Sequence, residues 1–131
     1  MIVDSSSIVA IMLSEPDAAD HLAALTAAKS PRMSAATYVE TGIVADSSRN
    51  AADGRRLDAL LREARVIIEP VTETQALIAR QAYRDFGRGS GHPAGLNLGD
   101  CFAYALAKDL GEPLLYKGDD FARTDVRSAL D

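Results

Sequence analysis

The acidic residues of this chain are placed where an α/β sheet would gather them. Asp4 follows the apolar run Met1-Ile2-Val3, and Asp119 and Asp120 follow Leu114-Leu115-Tyr116. Ligands of an open parallel sheet bind outside the carboxyl ends of its strands, so these acids are expected to converge on one edge. Asp100 opens the apolar stretch that runs to Leu110. A helix start favours an anion there and keeps it ionised for a cation, although an acid in that position is also an ordinary helix-start residue. Glu40 has Ala36, Ile43 and Val44 at i−4, i+3 and i+4, which predicts a carboxylate on the apolar face of a helix. Such a group needs a cation or an internal ion pair, for which Arg32 and Arg84 are candidates.

Carboxylates converging without a nearby His or Cys are the ligand set of a hard cation such as Mg²⁺ or Mn²⁺, and they disfavour zinc. Ions of that kind can activate water against a phosphodiester and stabilise the leaving oxygen. Ser6, two residues past Asp4, is placed either to hydrogen-bond a ligating carboxylate or to cap a helix. His21 and His92 stand alone, and no nucleophile elbow accompanies them, which argues against a serine hydrolase. Gly87, Gly89 and Gly91 lack the strand-to-helix setting of a phosphate loop. Cys101 reads as a small packed side chain, and Tyr83, Phe86, Phe102, Tyr104 and Phe121 read as core or interface before base-stacking groups.

These residues need a scaffold. Met1-Ile2-Val3 reads as a buried strand passing at Asp4 into a helix through Leu13. A second helix is expected to restart at Ser14-Glu15-Pro16-Asp17, with Ser14 as its cap, and to stop at Ser30-Pro31. Arg32-Met33-Ser34 is a second short strand. A helical pair follows, over about 35–48 with Val39, Ile43 and Val44 on its stripe, and over about 51–64 with Leu57, Leu60 and Leu61. Val66-Ile67-Ile68 is a third strand, and Thr72 caps a helix running through Tyr83. Residues 87–99 hold five of the nine glycines and predict a long loop. A helix from Asp100 to Leu110 and a strand at Leu114-Leu115-Tyr116 complete the order. Strands alternating with helices imply an α/β fold: a parallel sheet of four or five short strands flanked by helices, an α/β/α sandwich, in one domain over 1–131.

Four segments together resemble the PIN-domain ribonucleases. They are Ile2-Val3-Asp4-Ser5-Ser6 with Ile8-Val9-Ala10; Ser34 through Glu40; Asn97-Leu98-Gly99-Asp100-Cys101-Phe102-Ala103-Tyr104; and Leu114 through Phe121. Their order and spacing over nearly the whole chain are similar to VapC toxins of bacterial toxin–antitoxin pairs. The resemblance implies a PIN fold, a Mg²⁺-dependent endoribonuclease acting on structured RNA, tRNA first, a VapB-type antitoxin that blocks it, and a homodimer. It implies Asp4, Glu40 and Asp100 as acidic site residues. Many members carry Thr-x-Asp after the last core strand, where this chain has Gly118. The subset reading Lys-Gly-x-Asp-Phe favours Asp120 as the fourth acid, with Asp119 as the alternative.

Composition narrows the classes further. The chain has 131 residues, 47% hydrophobic and 25% charged, with a net charge of −5, so it is globular and not disordered. An acidic total argues against a nonspecific coat on nucleic acid but not against a nuclease whose carboxylates hold metal. A single cysteine excludes a disulfide framework and suits a reducing compartment. No apolar run approaches the roughly 20 residues of a membrane helix, and Asp4 stands where a signal peptide wants a basic residue, so the cytoplasm is expected. The competing classes are a phosphatase or receiver with Asp4 as nucleophile, and a non-catalytic binding module. The first lacks the Asp-x-Asp or paired acids it needs, since position 6 is serine.

Overall fold

The computed structural model describes residues 1–131. Four parallel strands, β1 (Ile2–Val3), β2 (Arg32–Ser34), β3 (Ile67–Glu69) and β4 (Leu114–Leu115), form one sheet in the order β3-β2-β1-β4. Six helices connect them: α1 (Ser5–Met12) and α2 (Ala18–Ala27) after β1, α3 (Ala35–Asp46) and α4 (Ala52–Glu63) after β2, and α5 (Glu73–Phe86) and α6 (Leu98–Leu110) after β3. A 3₁₀ turn, Phe121–Arg123, follows β4. The expected α/β/α architecture is therefore present, with four strands. None of its helices is long and apolar enough to cross a membrane.

Pleating divides the core in two. Ile2 is in register with Leu114, and Val3 with Leu115. Ile2 and Leu114 pack with α5 and α6 residues such as Ala79, Ala103 and Leu106. Val3 and Leu115 face the other way, with Ile8, Leu25, Met33, Leu57 and Leu61. Because side chains alternate faces along a strand, two adjacent residues of β1 serve two layers, and both are fully buried. β1 is also where strand order reverses, since β2 and β3 lie to one side of it and β4 to the other. The crevice at such a switch point lies beyond the carboxyl ends of β1 and β4, next to Asp4 and the turn that holds Asp119 and Asp120.

Two local expectations, at the starts of α2 and α6, need correction, and the α3 stripe lies on the surface. Ser14 does not start a helix: it has φ +51°, a left-handed conformation that ends α1, and α2 begins at Ala18 after Asp17. The Asp17 carboxylate makes no cap bond and instead reaches Lys117 Nζ at 2.9 Å. On α3 the stripe Val39, Ile43 and Val44 does not enter the core; these residues are 56%, 60% and 55% exposed. The buried side of α3 is Thr37, Thr41 and Ala45, small groups that let the helix lie close to its neighbours, with the Thr41 hydroxyl donating to the Thr37 carbonyl. Finally, α6 begins at Leu98, two residues before Asp100, and Asn97 is its cap.

Candidate active site

Each acid reaches the crevice by a different local device. Asp4 caps α1. The Ser6 N–H donates to its Oδ2 at 3.0 Å and the Ser6 hydroxyl at 2.6 Å, so one oxygen is held while the residue is only 2% exposed. The Ser6 hydroxyl oxygen in turn accepts from the Lys117 backbone N–H at 3.0 Å. That bond ties the chain after β4 to the start of α1, and the Lys117 ammonium also pairs with Glu15 and Asp17. Ser6 thus has both candidate roles that its position suggests: it closes the first turn of α1 and it orients Asp4.

Glu40 lies on α3 at the border between its buried and exposed sides, neither fully buried nor paired with Arg32 or Arg84. Arg32 pairs with Glu69, and Arg84 reaches only Gln81. The partner of Glu40 is Ser5, whose hydroxyl donates to Oε1 at 3.0 Å. Its other oxygen lies against the first turn of α6, where a Cβ built on Gly99 would stand 2.0 Å from Oε2. Only a residue without a side chain permits that approach, which brings the carboxylate to the positive end of a helix.

Asp100 is the third residue of α6. Its Oδ2 accepts from the Asn97 N–H at 3.0 Å while its own N–H donates to Asn97 Oδ1 at 2.9 Å, a reciprocal capping box. Burial pushes its carboxyl above the usual range, and the charges of Asp120 and Glu40 add to the shift while Arg88 opposes it. Burial likewise pushes Asp4 up to about 6, against the two Ser6 hydrogen bonds and with repulsion from Asp100 and Glu40. Mutual repulsion of this kind places Asp4, Glu40 and Asp100 in one field, and joins Asp120 to it through Asp100. Asp119 and Asp120 are both exposed.

Asp4 Oδ1 is buried and has no hydrogen-bond partner. An orphaned carboxylate oxygen in a low-dielectric site is costly unless a cation meets it. The donors around it are all hard oxygens, so the site fits a hard dication and not a soft one. No three of the His, Cys, Asp and Glu side chains stand close enough together to hold an ion as placed. The capping box holds one Asp100 oxygen and Ser5 one Glu40 oxygen.

Two contributors were not singled out from sequence: Ser5, which looked like part of a serine run, and Asn97, which lay in the glycine-rich loop. The spacing Asn97-x-x-Asp100 was the available signal, since a cap and an acid three residues on form the reciprocal box. His21 is not an isolated residue; it is 1% exposed, with Nδ1 2.9 Å from the Ser7 hydroxyl. His92 is half-buried and structural: its ring meets Phe86 edge-on, and Nδ1 accepts from the Ala94 N–H. Cys101 is buried in the α5–α6 core, as its neighbours suggested.

Comparison with known proteins agrees with this architecture. The PIN domain family matches residues 1–127. Ribonuclease VapC28 of Mycobacterium tuberculosis is 60% identical over 131 residues, covering 100% of this chain and 98% of that protein. Ribonuclease VapC42 of the same species is 50% identical over 129 residues, covering 98% of each. The crystal structure of M. tuberculosis VapC20, described as a sarcin–ricin loop cleaving toxin, superposes with a TM-score of 0.73 over 95% of both chains at 16% identity, a likeness of fold. With a family match over residues 1–127 and 60% identity over the full length, this chain belongs to the PIN-domain family and, within it, to the VapC group.

Proposed function

We propose that this protein is a metal-dependent endoribonuclease, the toxin of a VapBC-type pair, which cleaves structured RNA, tRNA first, in the cytoplasm and so stops translation. The observation that carries the reading is the full-length 60% identity to a protein named as a VapC ribonuclease, in a chain that keeps a buried acid with one unpartnered oxygen at the switch point. Asp4, Glu40, Asp100 and Asp120 are the proposed holders of Mg²⁺ or Mn²⁺. Bound there, the ion would lower the pKa of water and neutralise charge on a phosphodiester in transit.

The chain's own residues do the rest. Ser6 holds Asp4 so that its free oxygen points one way, and Ser5 does the same for Glu40. Burial of Asp4 and Asp100 keeps their field strong, since charges interact more in a low dielectric. The first turn of α6 presents its positive end to Glu40 and Asp100, limiting repulsion before a cation arrives. Asp120, on an exposed turn, can adjust to the ion and to the strand being cut.

The partners follow from the same reading. The exposed stripe Val39, Ile43 and Val44 continues onto Leu98 and Phe102 of α6 in a shallow groove beside Glu40. An apolar face of this kind suits a second copy of the chain and an apolar helix of a VapB-type antitoxin, which would bring an Arg to the acids. The test is cleavage of a tRNA pool by the purified chain. Activity should need Mg²⁺ or Mn²⁺, be lost on chelation, return less with zinc, and be absent in Asp4→Asn and Asp100→Asn. Cleavage by either variant at the unmodified rate would defeat the metal-site assignment. Absence of cleavage by the unmodified chain would leave a binding module.

A further inference from the structure

A second concavity lies between α5 and the start of α6 and shares Asn97, Leu98 and Phe102 with the groove beside Glu40. Its volume is about 670 Å³, within the range of ligand pockets. Arg80, Arg84 and Arg88 line it, with Tyr83, Leu98 and Phe102 supplying an apolar floor. Arg80 and Arg84 stand one turn apart on α5, about 6 Å along its axis, and Arg88 follows in the turn after the helix ends at Phe86. All three are exposed, and none of them pairs with a carboxylate in a chain whose net charge is −5. The wall of this cavity is also the wall of the acid cluster. Asn97 lines it and is hydrogen-bonded to Asp100 in both directions, and the charge of Arg88 is felt at Asp100.

We infer that this cavity is the substrate's entry track: an unpaired nucleotide next to the scissile phosphate seats its base on Tyr83 while Arg80, Arg84 and Arg88 take the flanking phosphates. This rests on the ribonuclease reading and narrows it, since the recognised element is then a single-stranded loop or bulge of a structured RNA. Charge complementarity selects the occupant. Guanidinium groups that pair with no carboxylate suit phosphate oxygens, and the rise of about 6 Å between Arg80 and Arg84 is of the order separating successive phosphates in an extended strand. A second copy related by a twofold axis would set one arginine row against another, which is repulsive. A duplex keeps its bases stacked inside, so it meets the rim but not the floor; a splayed base uses both.

The experiment is binding, read by fluorescence anisotropy of a short labelled single-stranded RNA in EDTA, where cleavage does not interfere. The full-length chain is compared with Arg80→Gln/Arg84→Gln/Arg88→Gln, with Tyr83→Leu, and with a matched control on other helices and turns, Arg49→Gln/Arg55→Gln/Arg62→Gln. Circular dichroism melts check that each variant folds. The α5 triple variant should lose about tenfold or more in affinity, and its salt dependence should flatten by about two ionic contacts. Tyr83→Leu should lose about fivefold. The control should bind as the unmodified chain does, and a duplex of the same sequence should bind more weakly and lose less on substitution. Unchanged affinity in the α5 variant, or equal losses in both triple variants, would overturn the track. Equal losses for strand and duplex would overturn the seated base. RNA binding intact but capture of a co-expressed antitoxin lost would assign the row to a protein partner and overturn it as well. An unmodified chain that binds no RNA at all would instead defeat the ribonuclease reading beneath it.

Discussion

Asp4 illustrates how a single carboxylate can be costly to the fold and useful to the site. Its folded-state pKa of about 6 lies above the ordinary 3.8, so the folded chain binds this proton more tightly than the unfolded one. Without a cation, stability from this group is greatest below pH 4, falls as pH rises toward 6, and stays low above that. Asp4→Asn removes the penalty. In metal-free buffer its Tm should exceed that of the unmodified protein near pH 7.5, by an amount corresponding to about 3 kcal/mol, and the difference should vanish near pH 4. Mg²⁺ should raise the Tm of the unmodified chain and not that of the variant. A variant less stable than its parent at pH 7.5 would contradict this account. The same scale separates the aspartate pair. Because the Asp120 charge acts on Asp100, Asp120→Ala should reduce cleavage far more than Asp119→Ala. Small, equal effects would remove both from the site.

At the scale of elements, the contact between α3 and α6 depends on one missing side chain. Gly99 sits in the first turn of α6, and a Cβ there would overlap the Glu40 carboxylate. The obstructing atoms belong to the flexible end of a side chain, so Gly99→Ala should fold: alanine favours the helix by up to about 1 kcal/mol while Glu40 swings away. Cleavage should nonetheless drop by tenfold or more, because the carboxylate has left its place beside Asp100. A melt together with an initial-rate assay measures both, and a fully active Gly99→Ala would show that Glu40 is not held where it acts. The cap of the same helix behaves oppositely. Asn97→Ala removes the half of the capping box that its side chain accepts from the Asp100 N–H and should cost about 1 kcal/mol in stability, while the backbone N–H that holds the Asp100 carboxylate remains.

For the whole molecule, the exposed apolar surface is the decisive feature. Val39, Ile43, Val44 and Leu98 are each more than half exposed and form one groove with Phe102. A water-exposed patch of this type is stabilised by a partner. Light scattering should find a dimer at micromolar concentration. Ile43→Asp/Val44→Asp should break it, or break capture of a co-expressed VapB-type protein, without lowering the unfolding free energy of the monomer by more than about 1 kcal/mol, since neither side chain is in the core. A monomeric parent that captures no such protein would remove both partners. If the antitoxin sets an Arg against the acids, its inhibition should weaken as Mg²⁺ rises, because the two cations compete.

Sequence alone determined the strands and the order of the helices, because each rests on a local pattern. Apolar runs of two or three residues ending at Asp4 and near Asp119 mark strand ends, and period-four stripes at Leu57 and Leu61 mark a buried helix face. It could not say what covers α3, since an apolar stripe shows that a face is hydrophobic and not which neighbour meets it. Val39, Ile43 and Val44 could have met the sheet; the tertiary structure gave that place to Thr37, Thr41 and Ala45, whose small side chains allow close packing. Tertiary structure also decided the partners of the acids. Ser5 lies 35 residues from Glu40, and Lys117 lies 111 from Ser6, separations at which no local spacing carries information. Those hydrogen bonds exist because a parallel sheet returns every strand end to the same edge, where polar groups from distant segments must satisfy one another.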